Sequence, residues 1–224
     1  MSASNHAHDL ATGDSIVPEW VKQAGRTILS PIVGVALALH MTANTVTVIG
    51  LLIVVVAGLV IGSGGLLAGA LILIGGSLLD AVDGAIARAT GGGTAFGGFL
   101  DSTVDRASEA IVYLAIALYY LSGPAPTWPV LAAFIALAGS FLVSYSRARA
   151  EGIGISAAIG LAPRTERLVL VIAGLGLAGL GFGPALIGAL WIIAALTVAT
   201  TIQRIWHVWR LTAGGERSSD SPRA

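Results

Sequence analysis

From residue 43 to residue 210 the chain is a series of six apolar stretches, near 43–62, 65–90, 94–122, 127–150, 165–181 and 184–210. Each is long enough to cross the roughly 30 Å hydrocarbon core of a bilayer, which takes about 17–25 residues of helix. In lipid, such a segment can satisfy its backbone N–H and C=O groups only by hydrogen bonding within itself. The stretches are separated by IGSGG at 61–65, the glycine run at 91–93, SGPAPTW at 122–128, EGIGIS at 151–156 and GLGFGP at 179–184. Composition agrees: 11% of residues are charged, against about 25% in an ordinary soluble domain. Cysteine is absent, which excludes disulfides, thiolate metal sites and cysteine nucleophiles. Twelve Lys+Arg balance twelve Asp+Glu, so net charge makes no case for a nucleic-acid partner.

The position of the charges is more informative than their sum. The breaks at 61–65, 122–128 and 179–184 carry none, and the Lys and Arg residues lie toward the opposite helix ends. The positive-inside rule assigns that basic side to the cytoplasm. Six spans with both termini inside satisfy this pattern. Residues 1–18 are polar, lack the basic-then-apolar build of a signal peptide, and are expected to form a disordered cytoplasmic tail. From Glu19 to His40, Trp20, Val21, Ala24, Ile28 and Leu29 fall at helical spacing beside Lys22 and Arg26, the pattern of an amphipathic helix lying in the membrane interface. The expected organisation is a membrane domain over 19–211 and a second disordered cytoplasmic tail over 212–224. The fold class is all-α, with six transmembrane helices preceded by an interfacial N-terminal helix.

Four aspartates break the apolar pattern. Asp80, Asp83, Asp101 and Asp105 lie in or at the ends of the second and third stretches, where each charge costs about 2.5–3.5 kcal/mol on insertion scales. They could sit at the interface and pair with Arg88 and Arg106, but two arginines cannot neutralise four aspartates and Glu109. Asp80, Asp83, Gly84, Ala87 and Arg88 share one helical face, and Gly97, Asp101 and Asp105 share another. A turn at Gly91–Gly93 would fold the two faces together. Converging carboxylates with no His or Cys favour Mg²⁺, Mn²⁺ or Ca²⁺ over zinc, and paired divalent ions are a common device for phosphoryl transfer.

The pattern Asp80-x2-Asp83-Gly84-x2-Ala87-Arg88-x8-Gly97-x3-Asp101-x3-Asp105 resembles, without a gap, the signature of the CDP-alcohol phosphatidyltransferase family. The resemblance spans roughly residues 19–210. It implies that a CDP-linked lipid binds with its pyrophosphate at the metals, that an alcohol attacks the lipid-side phosphorus, and that CMP leaves. It also implies that Asp80, Asp83, Asp101 and Asp105 hold two Mg²⁺ ions (or Mn²⁺), and that Asp105 is the general base. Gly84, Arg88 and Thr94 would contact the CDP part. So would Thr42, Ala43, Asn44 and Thr45, where Ala43 replaces the family's usual proline. A homodimer among membrane lipids is implied as well.

A basic cluster bears on the acceptor. Ser144-Tyr145-Ser146-Arg147-Ala148-Arg149-Ala150-Glu151 ends the fourth stretch, Pro163-Arg164-Thr165-Glu166-Arg167 opens the fifth, and Gln203-Arg204 lies in the last. Basic residues at cytoplasmic helix ends often only anchor to lipid headgroups, and Arg147 and Arg167 could pair with Glu151 and Glu166. Arginines facing one cavity instead suit a phosphate. The cluster resembles the phosphatidylinositol phosphate synthase branch of the family, with Arg147 in place of lysine and Thr165 in place of proline. That resemblance implies transfer from CDP-diacylglycerol to 1D-myo-inositol 3-phosphate, with Ser144, Arg147, Arg149, Arg164, Arg167 and Arg204 around the acceptor phosphate. Glycerol 3-phosphate, the acceptor of phosphatidylglycerophosphate synthases, is the alternative. A cation transporter would line a path across the bilayer with acids, whereas these cluster at one side. A purely structural membrane protein has no use for so costly a cluster.

Overall fold

The computed structural model describes residues 30–161 and 163–219, and for 214–219 the backbone alone. The expected tail at 1–18 and the start of the expected interfacial helix lie outside the described residues. A helical segment at 30–38 (α1) leads into α2 (Ala43–Gly62), α3 (Leu66–Ala89), α4 (Ala95–Leu121), α5 (Thr127–Glu151), α6 (Arg164–Gly179) and α7 (Pro184–Ser219). No strand occurs among the described residues.

The helices begin and end where local chemistry dictates. Thr42 caps α2, its Oγ1 accepting from the Thr45 N–H at 3.2 Å. Thr94 caps α4 in the same way, accepting from the Gly97 N–H at 2.9 Å. Such caps satisfy amides that have no partner within the helix. Between α3 and α4 the chain reverses through Gly91 and Gly92, at φ 96° and 103°, a left-handed conformation that side chains resist. There the Gly92 N–H closes onto the Ala87 carbonyl at 2.9 Å. No proline interrupts α7 after Pro184, and its hydrogen-bond ladder runs on to Ser219. Most of the segment expected as a C-terminal tail is therefore helical, and residues 220–224 lie outside the described residues.

Among the described residues, four helices are long and apolar enough to cross a membrane: α2, α3, α5 and, over Pro184–Ala213, α7. The other two expected spans depart from that standard for visible reasons. α4 carries Asp101, Asp105, Arg106 and Glu109, and α6 has only 16 residues. Across the described residues the chain is all-helical, with the apolar helices of a membrane protein.

Small residues let the helices approach closely, as is common where lipid removes the hydrophobic drive for helix association. A Cβ on Gly58 of α2 would meet Ile111 Cγ2 of α4 at 2.8 Å, and one on Gly174 of α6 would meet Ala189 Cβ of α7 at 2.9 Å. The Gly58-x3-Gly62 pair thus serves the α2–α4 contact within one chain. A core that includes Ile61, Leu66, Ile116, Ala136, Leu175 and Leu190 joins α2 to α7. A smaller cluster of Ala36, Val46, Val82 and Ile86 ties α1 to α2 and α3 beside the acidic end.

Candidate active site

The α3–α4 hairpin brings three of the four aspartates together. Asp80, Asp101 and Asp105 each offer a carboxylate oxygen, all within 4.8 Å of one another. Asp105 is buried, while the Asp80 side chain remains 42% exposed. Asp83 is also buried, and its Oδ2 accepts from the Thr47 hydroxyl at 2.6 Å. Thr47 lies just over one turn into α2, so it ties the acidic face of α3 to the helix that follows the Thr42–Thr45 segment. A cluster of oxygens without nitrogen or sulfur ligands suits a hard divalent cation.

Beside the acids opens a cavity of about 660 Å³, lined by the expected residues Thr42, Ala43, Asn44, Gly84 and Thr94 together with Asp83 and Asp101. The N-termini of α2 and α4 both face it. Its wall is shaped by absent side chains. A Cβ on Gly84 would meet only Arg88 Nη1, at 3.4 Å, so the space above Gly84 is open for a ligand. A Cβ on Gly97 would press on Asn44 Oδ1 and Thr94 Oγ1, each at 3.1 Å, so glycine lets α2 and α4 meet there. Thr45 lies off the lining, its hydroxyl 2.9 Å from that of Thr42. Arg88 is exposed. A second, much smaller cavity of about 60 Å³ lies inward, where Asp80, Asp83, Asp105, Glu109, Arg164 and Arg167 meet apolar residues of α2, α3 and α6.

The arginines separate into distinct environments. Arg164 reaches the acids directly, with Nη1 3.0 Å from Asp80 Oδ2 and Nη2 2.8 Å from Asp105 Oδ1. Arg167, 2% exposed, pairs not with Glu166 but with Glu109, whose Oε1 accepts from Nη2 at 2.6 Å and from Nε at 3.0 Å. Arg106 flanks the same group, with Nη2 3.4 Å from Asp105 Oδ2 and Nε 3.9 Å from Glu109 Oε2. Arg147 pairs with Glu151 one turn on, at 2.8 Å and half exposed. Arg149 is exposed, with no partner among the described residues. The Ser144 hydroxyl donates to the Ser140 carbonyl.

Arg204, buried in α7, donates to the Ile159 carbonyl at 2.8 Å and to the Val143 carbonyl. It shares a face of α7 with Thr200, whose Oγ1 accepts from the Leu161 N–H at 3.0 Å, and with His207, whose Nε2 lies 3.2 Å from the Ser156 carbonyl. These three side chains tie the α5–α6 connection to α7. Ser144, Arg147, Arg149 and Arg204 line neither of the two cavities beside the acids. Neither Thr47 as the partner of Asp83 nor Glu109 as the partner of Arg167 is evident from the sequence. A polar residue one turn past the Thr42 cap and an acid one turn past Asp105 were the available signals.

The family profile described as CDP-alcohol phosphatidyltransferase matches residues 40–209. An archaetidylinositol phosphate synthase of Pyrococcus horikoshii is 43% identical over 192 residues, covering 85% of this chain and 92% of that protein. The phosphatidylinositol phosphate synthase of Corynebacterium glutamicum is 36% identical over 186 residues, 82% of this chain and 85% of that protein. Among solved structures, phosphatidylinositol phosphate synthase of Mycobacterium tuberculosis in complex with manganese and citrate aligns with a TM-score of 0.77 at 36% identity, covering 81% of this chain and 88% of that one. The same enzyme with CDP-DAG bound aligns with a TM-score of 0.76 at 36% identity, covering 82% of this chain and 94% of that one.

Proposed function

The chain belongs to the CDP-alcohol phosphatidyltransferase family, and we propose that it transfers a phosphatidyl group from CDP-diacylglycerol to 1D-myo-inositol 3-phosphate, releasing CMP. The observation that carries this reading is the meeting of Asp80, Asp101 and Asp105 at the edge of a cavity left open above Gly84. Its relatives, named archaetidylinositol and phosphatidylinositol phosphate synthases, support inositol phosphate as the acceptor.

In this reading the 660 Å³ cavity takes the CDP part. Thr42, Ala43 and Asn44 present the start of α2 to it, with Thr45 behind them against the Thr42 hydroxyl, and Thr94 presents the start of α4. Gly84 leaves room for the pyrophosphate, and Arg88 closes over it. Asp80, Asp83, Asp101 and Asp105 would hold two Mg²⁺ ions, with Mn²⁺ as a substitute, and these ions would neutralise the pyrophosphate and the CMP that departs. Thr47 fixes the rotamer of Asp83 through its 2.6 Å hydrogen bond. Asp105 accepts the proton of the attacking hydroxyl. The new bond joins that oxygen to the lipid-side phosphorus, and the bond from this phosphorus to the bridging oxygen of CMP breaks. General-base assistance of this kind contributes about 10²- to 10⁴-fold.

The acceptor phosphate is assigned to the basic end of α5–α7. Arg164 is the arginine nearest Asp105, and Arg149 has its fork free among the described residues. Ser144, Arg147, Arg167 and Arg204 come from the same end but are held by the Ser140 carbonyl, Glu151, Glu109 and the Ile159 and Val143 carbonyls, so the assignment rests on Arg164 and Arg149. The protein sits in the cell membrane with six spans, α2 to α7. The site and both termini face the cytoplasm, and the chain pairs as a homodimer. The acidic α4 crosses with its charges at the site rather than in lipid.

The test is CMP release by purified protein with Mg²⁺. Inositol 3-phosphate and glycerol 3-phosphate are supplied in competition, with CDP-diacylglycerol and CDP-archaeol as alternative donors. Inositol 3-phosphate should be consumed preferentially with the diacylglycerol donor. Preference for glycerol 3-phosphate would refute the acceptor assignment, and preference for CDP-archaeol would refute the donor assignment.

A further inference from the structure

Arg164 opens α6 and directs its guanidinium at the α3–α4 hairpin. One nitrogen lies 3.0 Å from Asp80 and the other 2.8 Å from Asp105. These are two of the three carboxylates whose oxygens converge within 4.8 Å. A divalent cation and the Arg164 guanidinium therefore draw on the same two acids. Asp101 has no ion pair with Arg164, whereas on Asp80 and Asp105 the arginine already takes one oxygen each, Oδ2 and Oδ1. The Arg164 side chain is 27% exposed, so it can turn outward without leaving a fully dry site. Arg167, nearly one turn further along α6, cannot replace it, because Arg167 is buried and bound through two nitrogens to Glu109.

We infer that Arg164 and the divalent cation compete for Asp80 and Asp105, so that cation loading turns the Arg164 guanidinium toward the acceptor side. An anion that holds Arg164 there strengthens cation binding in return. A guanidinium fork fits a phosphate as well as it fits a carboxylate, so the phosphate of the acceptor is the anion that captures it. This last step rests on the acceptor reading given above, whereas the competition itself does not. Coupling between two ligands is reciprocal: whatever factor the anion lends to the cation, the cation lends to the anion. The site then binds its acceptor well only once the cation is in place, which keeps an activated hydroxyl away from an unneutralised pyrophosphate.

The test is Mn²⁺ binding to the purified full-length protein without CDP-lipid, read from the electron paramagnetic resonance signal of free Mn²⁺. Arg164→Gln should bind Mn²⁺ about tenfold more tightly than wild type, within the ordinary range of coupling between two sites. Adding inositol 3-phosphate, corrected for its own complexation of Mn²⁺, should tighten Mn²⁺ binding to wild type and leave Arg164→Gln unchanged. Asp101→Asn should weaken binding in both backgrounds, which places the measured ion at the cluster. Equal or weaker Mn²⁺ binding by Arg164→Gln overturns the competition. Tighter binding by that variant, with no effect of inositol 3-phosphate on wild type, overturns the coupling to the acceptor. If Arg164→Gln does not fold, Arg164→Lys serves. Its single ammonium cannot span both acids, so its Mn²⁺ affinity should lie above wild type, and an affinity equal to wild type overturns the proposal. CMP release in the same preparations separates these failures from a wrong acceptor assignment.

Discussion

The acidic hairpin and the basic end of the bundle carry charges of opposite sign to the same place by different means. Three aspartates of α3 and α4 converge because two helical faces, each with charges three or four residues apart, are folded together by a five-residue turn. The arginines come from α5, α6 and α7, and their positions depend on how those helices pack. One of them, Arg164, reaches the acids. Arg167 is bound to Glu109, Arg204 to two backbone carbonyls, and Arg147 to its neighbour Glu151. Charges within a local hairpin share one environment, whereas charges gathered from distant segments divide among different partners: the acids of the hairpin, the buried Glu109, main-chain carbonyls and a surface neighbour.

Three substitutions test that division. Asp105→Asn should cut turnover by about 10²–10⁴-fold, the usual worth of a general base, while binding of the CDP-lipid largely survives. Near-normal CMP release by this variant would remove the base from the acidic half. Arg167→Ala leaves the Glu109 carboxylate buried without its main partner, a loss of about 3–5 kcal/mol. It should appear as a lower thermal unfolding midpoint in detergent and be largely relieved when Glu109→Gln is added. A fall in the affinity for inositol 3-phosphate at unchanged stability would instead move Arg167 to the acceptor. Arg147→Ala should change stability by no more than about 0.5 kcal/mol, as expected for an exposed pair one turn apart. A rise confined to the acceptor KM would show that Arg147 serves the acceptor and not the surface alone.

The six helices were legible because helical periodicity and glycine-rich breaks are local signals. α2, for example, spans the apolar stretch read at 43–62. The length of α7 was not legible, since a polar sequence such as 212–219 does not reveal whether it continues a ladder begun in the membrane. At the site, the convergence of Asp80, Asp101 and Asp105 follows from spacing and one turn. The partner of Asp83 did not, because Thr47 lies 36 positions earlier and meets it only when α2 packs on α3. The same holds for Arg167 and Glu109, 58 positions apart, where the nearer Glu166 was the obvious candidate. Arg204 is implied by resemblance to face the acceptor phosphate, yet it is buried and its hydrogen bonds end on main-chain carbonyls that no side-chain pattern could indicate.

The helices capped by Thr42 and Thr94 both begin at the 660 Å³ cavity. Each helix start carries the equivalent of about half a positive charge from aligned peptide dipoles, so the pair presents nearly one charge to whatever lies between them. A lysine there would have to shed its hydration on burial, would drift among rotamers, and would stay behind as an unpaired ion after its anion left. Peptide dipoles do none of this: they are fixed in direction by the backbone and leave no ion to neutralise. A site built on them can hold a nucleotide phosphate firmly enough to position it and still let the spent nucleotide go.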